Sequence, residues 1–236
     1  MSSNKNEYLL QYKVYVGQNL LLDYKFEDDK NGLSLVNNRK LSDTEWIKLD
    51  YKKCANCPLN SDEYNTCPVA ENLASMVADC SNTISHESVN LEVISNQRTV
   101  IAKTSAQKAL SSVVGLAMAT SGCPHTQFFR AMAKFHLPLA STEETVFRAV
   151  SSYLLMQYLK QKEGQNVSFD LSGLKDIYNN LHTVNVYMHK RLTSIIEADS
   201  AVNAVAILDI FAITLPNFLD EEIKNLKSYF NLNTVT

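Results

Sequence analysis

The spacing of apolar residues changes period once along this chain, and that change limits the folds open to it. Before residue 105 apolar side chains alternate: Tyr8, Leu10, Tyr12, Val14 and Val16 are followed, across Gly17 and Gln18, by Leu20, Leu22, Tyr24 and Phe26. Alternation places every second side chain on one face of a strand, so two such runs around a glycine turn predict a β-hairpin. Val89, Leu91 and Val93, then Ser95 to Gln97, then Thr99 to Ile101 predict a second hairpin. Residues 27–43 are polar, with Asp28-Asp29 and Asn31-Gly32, and read as loop, whereas Ile47, Leu49 and Tyr51 read as a further strand. One helix is expected between, from Pro68 to about Cys80.

After Ser105 the spacing turns to three and four. Ser105 is placed to cap a helix running to Ser121, with Gly122 suited to its left-handed exit. Ser141-Thr142-Glu143-Glu144 has the form of a capping box opening a helix that Gly164 closes. Leu174, Ile177, Leu181, Val184, Met188, Leu192 and Ile195 form one stripe, the buried face of a long helix. Ala201 to Leu215 is apolar on every side except at Asn203, Asp209 and Thr214, which predicts a central helix ended by Pro216. Buried there, Asn203 and Asp209 need hydrogen-bond partners, because an unpaired polar group in a core costs about 1–3 kcal/mol. Strand runs followed by helix runs predict an α+β fold. An N-terminal antiparallel sheet with one inserted helix should pack on a C-terminal layer of about five helices. We expect a single domain over 1–236, sheet-rich over 1–104 and helical over 105–236, since no linker or repeat divides the chain.

Charge and hydropathy exclude some partners. A net charge of -3 and a pI near 6.0, with no basic stripe, disfavour nucleic acid. No apolar run reaches the roughly 20 residues of a membrane span, and the opening MSSNKNEY lacks the apolar segment of a secretory signal. The expected place is the cytoplasm, where a group of cysteines reads first as metal-binding or catalytic.

The five cysteines are Cys54, Cys57, Cys67, Cys80 and Cys123, and three of them, Cys57, Cys67 and Cys123, directly precede proline. Proline suits the first helical position, which puts Cys67 and Cys123 at N-caps facing free backbone donors, a setting that favours thiolate. Cys54 and Cys57 have the C-x-x-C spacing that turns two sulfurs toward one ion. With Cys67 and Cys123 they suggest a four-thiolate site for zinc or an iron–sulfur cluster at the seam between sheet and helices. A dithiol redox pair at Cys54 and Cys57, or cysteines that are only structural, are the competing readings. Cys80, near a helix end and without a proline, is the least expected ligand, and His125 and His136 flank Cys123 as substitutes.

The motifs Cys54-Ala-Asn-Cys57-Pro-Leu59, Cys67-Pro-Val-Ala-Glu-Asn72, Ala119-Thr-Ser-Gly-Cys-Pro-His125 and Phe135-His-Leu-Pro138, with Glu144, Thr145 and Arg148, resemble those of an uncharacterised bacterial family, a domain of unknown function. The resemblance spans most of the chain, weakest over residues 1–45 and after 215. It implies a bacterial source and a shared role for the three Cys-Pro elements, and it brings no activity.

Two functions follow as expectations. In the first, the chain is a non-enzymatic protein whose zinc or cluster site serves structure, sensing or the binding of a protein or small-molecule partner. In the second, Cys123 is an enzyme nucleophile activated by its helix N-terminus and by His125 or His136, with Arg130, Lys134 and Arg148 available for an anionic substrate. No phosphate loop, nucleophile elbow, zinc-protease helix or dinucleotide fingerprint occurs.

Overall fold

A computed structural model describes residues 9–29, 32–36, 45–80, 83–195 and 199–230. The first hairpin forms as its alternation dictates, β1 (Leu9–Val16) against β2 (Asn19–Asp29), turning at Gly17, whose φ of +61° lies in the left-handed region open to glycine. Its register pairs Leu10 with Phe26, Tyr12 with Tyr24 and Val14 with Leu22, and all six side chains are buried. A bulge between Val14 and Tyr15 then shifts the register, so Leu20 pairs with Tyr15 and is 53% exposed instead of continuing the buried row. The second hairpin joins β4 (Ser88–Ser95) to β5 (Thr99–Ser105), and β4 pairs with β1.

Two local expectations are corrected. Within residues 27–43, Gly32–Leu35 form a strand, β3, on the free edge of β2, so the antiparallel sheet has five strands in the order β3-β2-β1-β4-β5. Four residues carry too little alternation to stand out in a polar stretch, and pairing with β2 supplies what local pattern does not. Ile47, Leu49 and Tyr51 are not a strand. Glu45–Ile47 is a 3-10 helix, and only a single bridge, Lys48 to Thr66, follows it.

One face of the sheet is covered by α1 (Pro68–Asp79) and by α2 (Ala106–Ala119), which leaves β5 at Ser105. Ser105 is the N-cap residue of α2 but its hydroxyl makes no capping bond and is buried without a partner. Gly122, at φ +85°, follows the end of that helix. After a 3-10 turn (Pro124–Phe129) and a short α3 (Arg130–Lys134), the capping box forms in full: the Ser141 hydroxyl accepts from Glu144 N at 3.1 Å and the Glu144 carboxylate accepts from Ser141 N at 2.8 Å. It opens α4 (Thr142–Lys162). α5 (Ser172–Leu192) buries the expected stripe only as far as Leu192, with Ile195 beyond its end and exposed. The last helix, α6 (Asp199–Lys227), carries Pro216 inside it and bends by 73° between Val202–Asn217 and Leu219–Phe230. Pro216 therefore kinks the helix where it was expected to end it, and the chain stays helical to Lys227. The fold is α+β. No single helix among the described residues is long and apolar enough to cross a membrane.

The two polar residues singled out on α6 find partners. Asn203 donates to Ser85 Oγ at 2.7 Å, and Asp209 meets His182 Nδ1 at 2.7 Å. Arg191, 1% exposed at the end of α5, donates to the carbonyls of Trp46, Lys48 and Leu49 at 2.6, 2.8 and 2.9 Å, fixing the segment that precedes the C-x-x-C turn. Replacing Arg191 by Met keeps much of the volume and strands three carbonyls, so urea unfolding should show a loss of about 3 kcal/mol or more. A loss below about 1 kcal/mol would mean that the Trp46–Leu49 carbonyls are satisfied without it.

Candidate functional site

Inward-facing Tyr12, at the centre of β1, is buried to 0% exposure and must place its hydroxyl against a partner. It finds Ser112 Oγ of α2 at 2.8 Å and His136 Nε2 on the segment after α3, and the Ser112 and His136 atoms are themselves 3.5 Å apart. Leu139 N donates to the same serine oxygen at 3.4 Å and Leu139 sits at φ +56°, an uncommon conformation for a side chain of its size. These contacts fold residues 135–140 over the sheet–helix junction. Burial, with the nearby positive charge of Arg148 adding to it, lowers the His136 pKa to about 3, so the ring is neutral at pH 7 and shares a hydrogen bond with the tyrosine hydroxyl. Burial likewise raises the Tyr12 pKa.

Beside this junction lies a cavity of about 210 Å³ walled by α2, the 124–134 segment, α4, α5 and α6. It falls between two apolar cores. One joins the sheet to α1 and α2, the other joins α4, α5 and α6, and Phe129 packs against both. Its walls are mainly apolar, with Leu116, Phe129, Met132, Leu181, Leu208 and Phe211 among them. Gly115 lets α6 come close, since a Cβ there would sit 3.2 Å from Leu208 Cδ2.

Three polar side chains in this wall have unmet capacity or unusual surroundings. Arg148, on α4, uses Nη2 to donate to the carbonyls of Met132 and Phe135 at 2.6 and 3.1 Å. Among the described residues no carboxylate lies within ion-pair distance of it, and its neighbour Glu144 is engaged in the capping box. Burial lowers the Arg148 pKa, with Tyr178, Tyr12 and Glu144 pulling the other way. Tyr178, on α5, packs its ring edge-on to Phe129 with centroids 5.3 Å apart, and burial raises its pKa against the influence of Arg148. Asn185, two turns further along α5, is 0% exposed, and neither its amide oxygen nor its amide nitrogen has a hydrogen-bond partner.

The other basic residues named from sequence are employed elsewhere. Lys134 pairs with Asp28 of β2, and Arg130 approaches β3 at Gly32, so of the three only Arg148 reaches the cavity.

Cys54, Cys57, Cys67 and Cys123 all pack in or against the sheet-side core, and Cys54 feels the other three electrostatically. They do not form the expected centre. Among the described residues no group of three or more His, Cys, Asp or Glu side chains is arranged to hold a metal ion, and this overturns the reading of the chain as a metal-site protein. None of the five cysteines is in a disulfide. Cys67 and Cys123 do occupy N-cap positions before Pro68 and Pro124, but neither side chain makes a capping bond. Burial raises the Cys123 pKa to about 11 although the backbone amides of His125 and Thr126 favour thiolate, and burial with the three neighbouring cysteines raises Cys54 to about 12. The helix-end effect is thus outweighed by desolvation.

Cys123 as an activated nucleophile is corrected for the same reason, and for want of a base. His125 directs Nε2 to the carbonyl of Asn56 at 2.6 Å, and His136 is held by Tyr12 and Ser112. Asn56 also donates to Asn180 Oδ1 of α5 at 3.0 Å, so the C-x-x-C turn is a docked structural element.

The polar residues missed from sequence are Tyr12, Ser112, Tyr178 and Asn185, all absorbed into strand or helix patterns. Asn185 alone left a signal, because it stands four residues after Leu181 and three before Met188, on the face of α5 that should be apolar. An α+β scaffold with a largely apolar cavity between two cores, entered by one cation and one unpartnered amide, is the class that fold and site define. The chain belongs to a family described as a domain of unknown function, DUF6901, whose model matches residues 10–231. No curated protein and no solved structure matches it.

Two measurements probe these assignments. His136 stays neutral in the fold down to about pH 3, whereas in the unfolded chain it takes up a proton near pH 6.5, so its contribution to stability is present above pH 6.5 and is lost as pH falls toward 3. Set among Tyr12, Ser112 and Arg148, it should add about 1.4 kcal/mol per pH unit to the slope of the acid limb, a share that His136→Gln removes; an unchanged slope would place the proton uptake elsewhere. At pH 8, iodoacetamide should label Cys123 of the folded protein at least about 100-fold more slowly than the urea-unfolded chain, as mass spectrometry of the peptide would show. Faster labelling in the folded state would restore Cys123 as a reactive thiol.

Proposed function

We propose that this protein binds a small, largely apolar monoanion, a carboxylate by preference, in the cavity between its two cores. The observation that carries this reading is Arg148: a partly buried guanidinium at the wall of an apolar cavity, held by two carbonyls and lacking a carboxylate partner among the described residues. A cation kept out of water without a counter-ion is costly, and a bound anion repays that cost with charge-assisted hydrogen bonds. The size of the cavity sets the size of the guest. A dry apolar cavity of about 150 Å³ accepts benzene, so 210 Å³ corresponds to roughly eight buried non-hydrogen atoms in the same proportion.

A single guanidinium with no second cation in the cavity wall suits a monoanion better than a phosphate dianion, whose extra charge would be stranded among apolar side chains. Neutral His136 and the buried hydroxyl of Tyr178 can complement a carboxylate without adding charge.

Isothermal titration with octanoate at pH 7 tests the proposal. Binding is expected for the wild type, and Arg148→Met should weaken it by about 10- to 100-fold, the worth of a hydrogen bond to a charged group, while leaving 1-octanol unaffected. No heat and no thermal stabilisation by octanoate at millimolar concentration would reject it, as would equal binding by the Arg148→Met variant.

A further inference from the structure

Among the described residues Asn185 is the one buried amide side chain with both polar atoms unpaired. Asn203 reaches Ser85, Asp209 reaches His182, Gln157 lies near Tyr153, and Arg191 satisfies three carbonyls. Asn185 has neither a donor for its oxygen nor an acceptor for its nitrogen, at 0% exposure, in the wall of the cavity. A buried amide left unpaired destabilises a fold by about 1–3 kcal/mol, whereas leucine in its place would continue the apolar stripe of α5 at no such cost. A residue that weakens the empty fold at the wall of a cavity is explained if its partner is a ligand.

Position on the helix gives the second half of the argument. Tyr178, Leu181 and Asn185 share the cavity-facing side of α5 at intervals of three and four, so Tyr178 and Asn185 lie two turns apart, about 10 Å along the axis. Arg148 is bonded to the carbonyls of Met132 and Phe135, and Tyr178 packs on Phe129 at the start of that same segment, which places the cationic end of the cavity on the Tyr178 side. Leu181 lies between. The cavity therefore has a cationic end, an apolar middle and a far end that offers one donor and one acceptor.

We infer that the ligand is bifunctional: a medium-length carboxylic acid whose far end carries a hydroxyl or primary amide, with the carboxylate at Arg148, the apolar chain along Leu181 and the distal group on the amide of Asn185. A hydroxyl both donates and accepts, as Asn185 requires, and an extended eight-carbon chain spans about 10 Å, the same as two helical turns. This rests on the carboxylate-binding reading above and adds the identity of the second recognition group.

The test compares 8-hydroxyoctanoate, octanoate and 1,8-octanediol by titration calorimetry on the wild type and on Asn185→Leu and Arg148→Met. The wild type is expected to bind 8-hydroxyoctanoate at least about tenfold more tightly than octanoate, since a site built to hydrogen-bond a hydroxyl rejects the analogue that lacks it. Asn185→Leu should reverse that preference and at the same time raise the melting temperature of the unliganded protein, a combination that a merely structural asparagine would not produce. Equal binding of the two acids by the wild type, with both lost in Arg148→Met, would overturn the distal-group assignment and leave the carboxylate site standing. A preference that survives Asn185→Leu would overturn it as well. Binding of 1,8-octanediol as tight as that of the hydroxy acid would remove the carboxylate site, and binding of none of the three would remove both.

Discussion

Helix α2 is buried on nearly every side, and the rest of the molecule is arranged around that constraint. Ala109, Leu110, Val113, Val114, Leu116 and Ala117 are all at or below 5% exposure, so the helix must be enclosed by other elements rather than by water. The sheet and α1 enclose it from one direction and α6 from another, with Gly115 removing the Cβ that would hold Leu208 away. A helix apolar all round is stable only when covered. The cavity lies where that covering is incomplete, beside Ser111 and Ser112, the polar interruption in α2.

Buried polar groups divide this protein into a settled part and an open one. Arg191 through its two Nη atoms, and the partly buried Asn203, Asp209 and His182, are matched within the chain, and their bonds tie α5 and α6 to the loops and to each other. The junction of Tyr12, Ser112 and His136 is matched too, and stays neutral at pH 7. At the cavity the matching stops. Arg148 has no ion-pair partner among the described residues and the amide of Asn185 has none at all, while both are held in place by helices that are otherwise well packed. Rigid placement of unmet polar groups in an apolar wall is the arrangement by which a cavity selects a ligand.

The hairpins, the capping box at Ser141 and Glu144 and the stripe on α5 were legible because each is set by neighbours in sequence: alternation, a cap three residues from its partner, apolar spacing of three and four. β3 and the 3-10 turn at Glu45–Ile47 were not, because a four-residue strand forms only when an edge is offered to it. The cysteines show the limit most clearly. Their Cys-Pro spacing does put Cys67 and Cys123 at helix starts, as local geometry demands. Whether sulfur there becomes thiolate depends on how much water reaches it, and that is decided by the strands and helices packed above it.

Of the candidate site, the chain by itself determined the cation at Arg148, and at Asn185 it left only a polar residue hidden within an apolar stripe. Only tertiary structure decided that they face one cavity, that Lys134 is taken by Asp28 and that His136 belongs to Tyr12 rather than to Cys123. The reason is physical. Helical and strand periodicity act over a few residues and are written in the sequence, whereas desolvation and pairing are set by groups more than a hundred residues apart, which only the packed fold brings into contact.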